Sequence, residues 1–88
     1  MTEATANIAY KYGFHARPMS IFVQYASSFK SKVQLKAKGK TVDAKSLFMI
    51  ASIPLFKGTE ITIVADGPDE AEAVKTLKDL VDAKFGED

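Results

Sequence analysis

The sequence predicts an α+β fold: an open-faced β-sandwich of order βαββαβα, with a four-stranded antiparallel sheet and three helices packed on one face. Three observations carry that reading. Segments of strict polar/apolar alternation are interleaved with segments of helical period along the chain. At 88 residues there is one domain with a limited core. Three helices are too few to cover both faces of four strands, so one face is expected to stay open.

The first strand lies in "ATANIAY", where Ala4, Ala6, Ile8 and Tyr10 share one face, and Gly13 ends it. From Ala16 the period turns helical, with Pro18, Phe22, Tyr25, Ala26 and Phe29 recurring. Pro18 falls in the first turn, where its missing N–H costs nothing. "KVQLKAK" alternates again, setting Val33, Leu35 and Ala37 opposite Gln34, Lys36 and Lys38. Gly39 offers a hairpin turn and "KTVDA" the returning arm. In "KSLFMIASIP", Ser46 is a good N-cap and Pro54 a stop, which predicts a helix of about two turns. "EITIVAD" is the last strand, with Ile61, Ile63 and Ala65 on one side. The last helix begins near Asp69 with Glu70 and Glu72 in its first turn, where the macrodipole favours acids. Ala73, Val74, Leu77, Leu80 and Val81 form its buried stripe, and Gly86 lies past its end.

Composition removes several function classes. The chain has no cysteine, so disulfide and thiolate chemistry are out, and one histidine without cysteine argues against a zinc site. No metal and no cofactor are expected. No apolar run approaches the roughly 20 residues needed to span a bilayer. "MTEATANIAYKYG" has neither a basic n-region nor an apolar stretch, which favours the cytoplasm. The net charge of +1 conceals an asymmetry. Residues 1–57 carry nine Lys/Arg against two Asp/Glu, whereas residues 58–88 carry three against nine. Lysines 30, 32, 36, 38 and 40 look like a nucleic-acid patch in isolation. Alternation sends many of them to the solvent face of a hairpin, and Phe29 is the only aromatic among residues 26–45, so a base-stacking platform is missing and no nucleic acid is expected.

The chemistry concentrates in "GFHARPMS", residues 13–20, which holds the single histidine, His15, and the single arginine, Arg17. With His15 at the N-cap, the backbone N–H groups of Ala16 and Arg17 and the helix dipole form an anion site, to which the guanidinium adds bidentate donors for phosphate oxygens. A positive helix end also keeps the imidazole neutral and nucleophilic near pH 7. The same residues equally describe a polar pair at an ordinary helix start. No Gly-rich phosphate cradle, HExxH motif or nearby carboxylate supports another catalytic scheme.

"GFHARPMSIFVQYASSF" closely resembles the active-site segment of HPr, the histidine-containing phosphocarrier family of the bacterial sugar phosphotransferase system. Gly13, Phe14, His15, Ala16, Arg17 and Pro18 match its Gly-apolar-His-Ala-Arg-Pro pattern. "GKTVDAKS" resembles the family's hairpin followed by a regulatory serine, and "KGTEITIVADGPDEAEAV" its last strand and the start of its last helix. The resemblance spans essentially the whole chain, residues 1–88, as one domain.

The resemblance implies a phosphocarrier rather than an enzyme. His15 would accept a phosphoryl group on Nδ1 from enzyme I, itself charged by phosphoenolpyruvate, and pass it to enzyme IIA domains. Arg17 would stabilise the phosphate, whose oxygens would bind the N–H groups of Ala16 and Arg17. Ser46 would be the regulatory site of an ATP-dependent HPr kinase/phosphorylase, recruiting a catabolite-control transcription factor. Leu47, Phe48 and Ala51 occupy the positions of the family's apolar docking patch, and a monomer without membrane insertion is expected. Two alternatives stay open: a nitrogen-branch paralogue with the same histidine chemistry, and a regulatory module acting chiefly through Ser46.

The chain departs from the family in "SLFMIASIPLFKG". Met49 stands where relatives have glycine, and Pro54 stands in place of the helix-ending glycine. Proline cannot take a positive φ, so this helix must end differently. For Phe48 and Met49, core packing and an exposed docking role are both compatible with the sequence. Ser46 likewise suits a plain N-cap as well as a kinase site.

Overall fold

The computed structural model describes residues 1–8 and 16–83. The element order is β1 (Thr2–Asn7), α1 (Ala16–Ser27), β2 (Lys32–Ala37), β3 (Lys40–Asp43), α2 (Leu47–Ala51), β4 (Glu60–Asp66) and α3 (Glu70–Asp82). All strand pairs are antiparallel, in the spatial order β1-β4-β2-β3. The expected open sandwich is therefore the fold. Tyr10, Gly13, Phe14, His15 and Gly86 lie outside the described residues.

Alternation decides which side of the sheet is covered. Ala6, Val33, Leu35, Ala37, Val42, Ile61, Ile63 and Ala65 point to one face, and all are buried. Phe22 and Ala26 of α1, Ile50 of α2, and Ala73, Val74, Leu77 and Val81 of α3 close over that face and join the same cluster. On the opposite face, the pairs Lys32–Asp66 and Lys36–Thr62 lie across neighbouring strands. Val64 is buried there too, outside the main cluster, between its register partners Glu3 and Gln34. Tyr25, placed by period on the apolar stripe of α1, is instead 45% exposed, because the buried side of a 12-residue helix is narrower than that stripe.

The β2–β3 turn is the two-residue type in which both central residues take positive φ. Lys38 has φ 50° and Gly39 φ 78°, and Ala37 pairs with Lys40 across the turn. At the opposite end of the sheet, Gly67 precedes α3 with φ 154°. A Cβ on Gly67 would stand 2.6 Å from Ser31 Oγ and 2.7 Å from Ser31 Cα, so only glycine lets the two segments meet.

Candidate functional site

Backbone anchors hold both sides of the segment that carries His15. Before it, Ile8 N–H donates to the Thr59 carbonyl (2.9 Å) and Gly58 N–H to the Ile8 carbonyl (2.7 Å). After it, α1 starts at Ala16, and Pro18 is fully buried in the first turn. A proline there presets φ for the helix and removes an N–H that has no intrahelical acceptor. Arg17 is exposed in the same turn. The described part of α1 begins at Ala16. His15 itself is among the residues not described.

Ser46 is the N-cap of α2, with extended φ/ψ of −112°/109°, and its Oγ accepts a hydrogen bond from Met49 N–H at 3.3 Å. Its backbone is set by Asp43, whose carboxylate accepts from Lys45 N–H (2.9 Å) and whose carbonyl accepts from Ser46 N–H (3.1 Å). The Lys45 ammonium reaches away from the serine and donates to the Phe29 carbonyl at 2.9 Å, tying this junction to the segment that follows α1.

The helix after Ser46 is shorter than the sequence suggests. It runs five residues rather than two turns, and it stops at Ala51, three residues before Pro54. Ser52 ends it: its N–H and its hydroxyl both donate to the Met49 carbonyl, at 3.2 and 2.6 Å. A serine C-cap with α-region φ thus does what a positive-φ glycine does elsewhere. Of the helix's five apolar residues only Ile50 is buried. Phe48 is 88% exposed, and Leu47, Met49 and Ala51 are exposed beside it. Of the two possibilities for Phe48 and Met49, exposure is what the fold selects. A one-turn helix can turn only one side chain inward.

Sequence reasoning missed two features. Phe56, 64% exposed in the loop before β4, carries Lys38 Nζ 5.6 Å from its ring centroid. The one available signal was an aromatic between Pro54 and Gly58, in a loop rather than an apolar stripe. Asp69 was placed only as a helix start. It makes no side-chain cap to its own helix. Its carboxylate instead reaches the segment just before β2, accepting from the N–H groups of Lys30 and Ser31 (both 2.9 Å) and from the Ser31 hydroxyl, while Asp69 N–H donates back to Ser31 Oγ (3.2 Å). The Ser31 hydroxyl, followed by the backbone donors, lowers the Asp69 pKa to about 2. Glu70 is also lowered to about 2, chiefly by the Thr2 hydroxyl, and further by the terminal ammonium and Gly67 N–H. These groups stabilise the fold and take no part in the candidate site.

The family model for the PTS HPr component phosphorylation site matches residues 2–83. The chain belongs to the HPr family. HPr from Thermoanaerobacter tengcongensis is 44% identical, with a TM-score of 0.96 over 100% of this chain and 99% of that one. HPr from Bacillus anthracis is 36% identical, with a TM-score of 0.87 over 91% of this chain and 95% of the other. The catabolite repression protein Crh of Bacillus subtilis, crystallised as a swapped dimer, is 39% identical, with a TM-score of 0.75 over 96% and 97%. The chain is accordingly an HPr-type phosphocarrier of the phosphotransferase system, and its partners belong to that system. Among the described residues no helix is long and apolar enough to cross a membrane.

Proposed function

We propose that this single-domain chain carries a phosphoryl group on His15 in the cytoplasm, one copy acting in each transfer. The neutral Nδ1 attacks the phosphorus of phosphorylated enzyme I. An N–P bond forms at His15 as the donor's bond to phosphorus breaks, and the donor keeps that electron pair. In the second step an enzyme IIA domain takes the phosphoryl group, and His15 returns to the neutral imidazole. The observation that carries this reading is the start of α1 at Ala16, directly after the family's histidine, with Arg17 exposed in the first turn. Helix-start N–H groups and a guanidinium are the donors that a phosphohistidine dianion requires. Leu47, Phe48 and Ala51 serve as the apolar surface on which both partners dock.

Incubation with enzyme I and labelled phosphoenolpyruvate gives acid-labile label on the wild-type chain and none on His15→Ala. Equal labelling of the two removes His15 from the role. Arg17→Glu slows transfer at least about tenfold, a loss of about 1.4 kcal/mol of transition-state stabilisation, with the melting temperature unchanged.

A regulatory role through Ser46 is favoured by its place at the α2 N-cap and by the likeness to Crh. Phosphate there suits the helix start yet adds about two negative charges beside the docking patch, which repels acidic partner surfaces. An HPr kinase/phosphorylase acting on this site, and a catabolite-control transcription factor binding its product, complete that reading. Kinase-dependent label that survives in Ser46→Ala would exclude it.

A further inference from the structure

Asp66 is the last residue of β4 and is exposed, and Gly67 follows it. No other Asp or Asn of the chain precedes a glycine. Glycine has no side chain to shield its amide nitrogen from the carboxyl of the residue before it. The Gly67 nitrogen can therefore attack the protonated Asp66 carboxyl at Cγ. An N–Cγ bond forms, the Cγ–OH bond breaks, and the hydroxyl leaves as water with the amide proton. Water then opens the five-membered imide at either carbonyl. Opening at the backbone carbonyl breaks the original peptide bond to Gly67. The chain then runs through the side chain, as an isoaspartate with a free α-carboxylate. One water leaves and one enters, so mass and oxidation state are unchanged.

The fold restrains this reaction only loosely. Gly67 N–H donates to Glu70 Oε1 at 3.3 Å, and Glu70 N–H donates back to the Gly67 carbonyl at 3.3 Å. The Thr2 hydroxyl donates to the other Glu70 oxygen, so the carboxylate is held in place from β1. Attack requires the peptide plane to turn its nitrogen onto Cγ, which those bonds and the pairing of Asp66 with Lys32 oppose. Both Gly67–Glu70 bonds are longer than the usual range. Opening this turn therefore takes far less free energy than unfolding the domain, and the reaction rate follows the open fraction.

The product does not fit the native junction. Isoaspartate places one extra atom in the main chain between Asp66 Cα and the Gly67 nitrogen. Gly67 already stands where an added Cβ would lie 2.6 Å from Ser31 Oγ and 2.7 Å from Ser31 Cα. Two residues on, the Asp69 carboxylate grips Ser31 N–H at 2.9 Å, so the longer chain has no slack to take up on that side.

We propose that Asp66–Gly67 is an isoaspartate-forming modification site, restrained by Glu70 through its hold on Gly67 N–H, and that conversion loosens the junction of β4 and α3 with Ser31. The α-carboxylate set free is the group that an S-adenosylmethionine-dependent isoaspartyl methyltransferase esterifies, which makes the converted chain a substrate for repair enzymes of that class.

The test ages the full chain at neutral pH and physiological temperature, labels it with such a methyltransferase and radiolabelled S-adenosylmethionine, and maps the peptides. Label concentrates on the peptide that holds Asp66, and the converted chain melts about 5 °C or more below the fresh one. Asp66→Glu, which would need a less favourable six-membered imide, takes no label there. Glu70→Ala gains label about tenfold faster than wild type, and Thr2→Val, which releases Glu70 without removing it, shows a smaller gain. Val81→Ala, which empties a buried position far along α3, accelerates labelling less than about twofold, because it destabilises the domain without opening the turn. Absence of label at Asp66 in the aged wild type overturns the proposal, as does a melting temperature unchanged by conversion. Wild-type rates in both Glu70→Ala and Thr2→Val, or equal acceleration in Glu70→Ala and Val81→Ala, remove Glu70 as the restraint and overturn it likewise.

Discussion

Helix α2 and the junction of β2 with α3 are opposites in how they use their residues. At the junction, Ser31 and Asp69 exchange three hydrogen bonds and Lys30 N–H adds a fourth to the Asp69 carboxylate, and Gly67 brings its backbone against Ser31 at a distance no side chain would allow. In α2, five apolar residues in a row bury one side chain and leave four in solvent, and a single long hydrogen bond caps the start. Polar atoms are removed from water where the fold is held together, and apolar atoms are left in water on α2, the surface proposed above to meet partners. The difference shows that burial alone does not rank residues by importance here. Exposed apolar surface raises the free energy of the isolated chain and is recovered only when a partner covers it.

The contrast can be broken most forcefully at Gly67. Gly67→Ala must either push β2 away from α3 or flatten a φ of 154°, and it is expected to cost about 2–4 kcal/mol. For a domain of this size the melting temperature falls by about 10 °C or more, and calorimetry reads it directly. A melting temperature within a degree or two of wild type would mean that the junction is not tight.

Two neighbours within α2 test the other half of the comparison. Ile50→Ala empties a fully buried position and costs about 2–4 kcal/mol in denaturant unfolding. Phe48→Ala, two residues earlier, changes stability by no more than about 0.5 kcal/mol and instead weakens partner affinity. A Phe48→Ala variant as unstable as Ile50→Ala would place that ring in the core after all.

The smallest expected effect is a pH dependence confined to the junction. Asp69 and Glu70 have pKa values lowered from 3.8 and 4.5 to about 2 by the donors that surround their carboxylates. The unfolded chain therefore binds protons more tightly than the folded one. Their contribution is complete above about pH 4.5 and is lost as pH falls from there towards 2. Asp69→Asn and Glu70→Gln are expected to flatten the fall of melting temperature across that range, and to leave its slope above pH 5 unaltered. An unchanged acid slope in both variants would assign acid sensitivity to other carboxylates.

Much of this was legible in the sequence because the responsible forces are local. The 2-residue period of Val33, Leu35 and Ala37 and the 3.6-residue period of Ala73, Val74, Leu77 and Val81 named the core faces. Ser46 named a helix start and Gly39 a turn. In each case a side chain acts on its own or adjacent backbone, so nothing distant can overrule it. The length of α2 was misjudged because Pro54 can forbid a helix beyond itself but cannot say how far before it the helix stops; Ser52 decided that with its hydroxyl. The Asp69 clamp was invisible because its partners lie 38 and 39 residues away.

The sequence by itself determined the order of elements and most of the buried stripe of the strands and of α3, and its resemblance to the HPr family picked out the segment proposed to carry a phosphoryl group. The elements and their stripes follow from backbone propensity and periodicity. Only the tertiary structure decided which apolar residues face solvent. Whether Phe48, Met49 or Phe56 is covered depends on what other parts of the chain pack over it. It likewise decided that Lys38 and Phe56, 18 residues apart, meet.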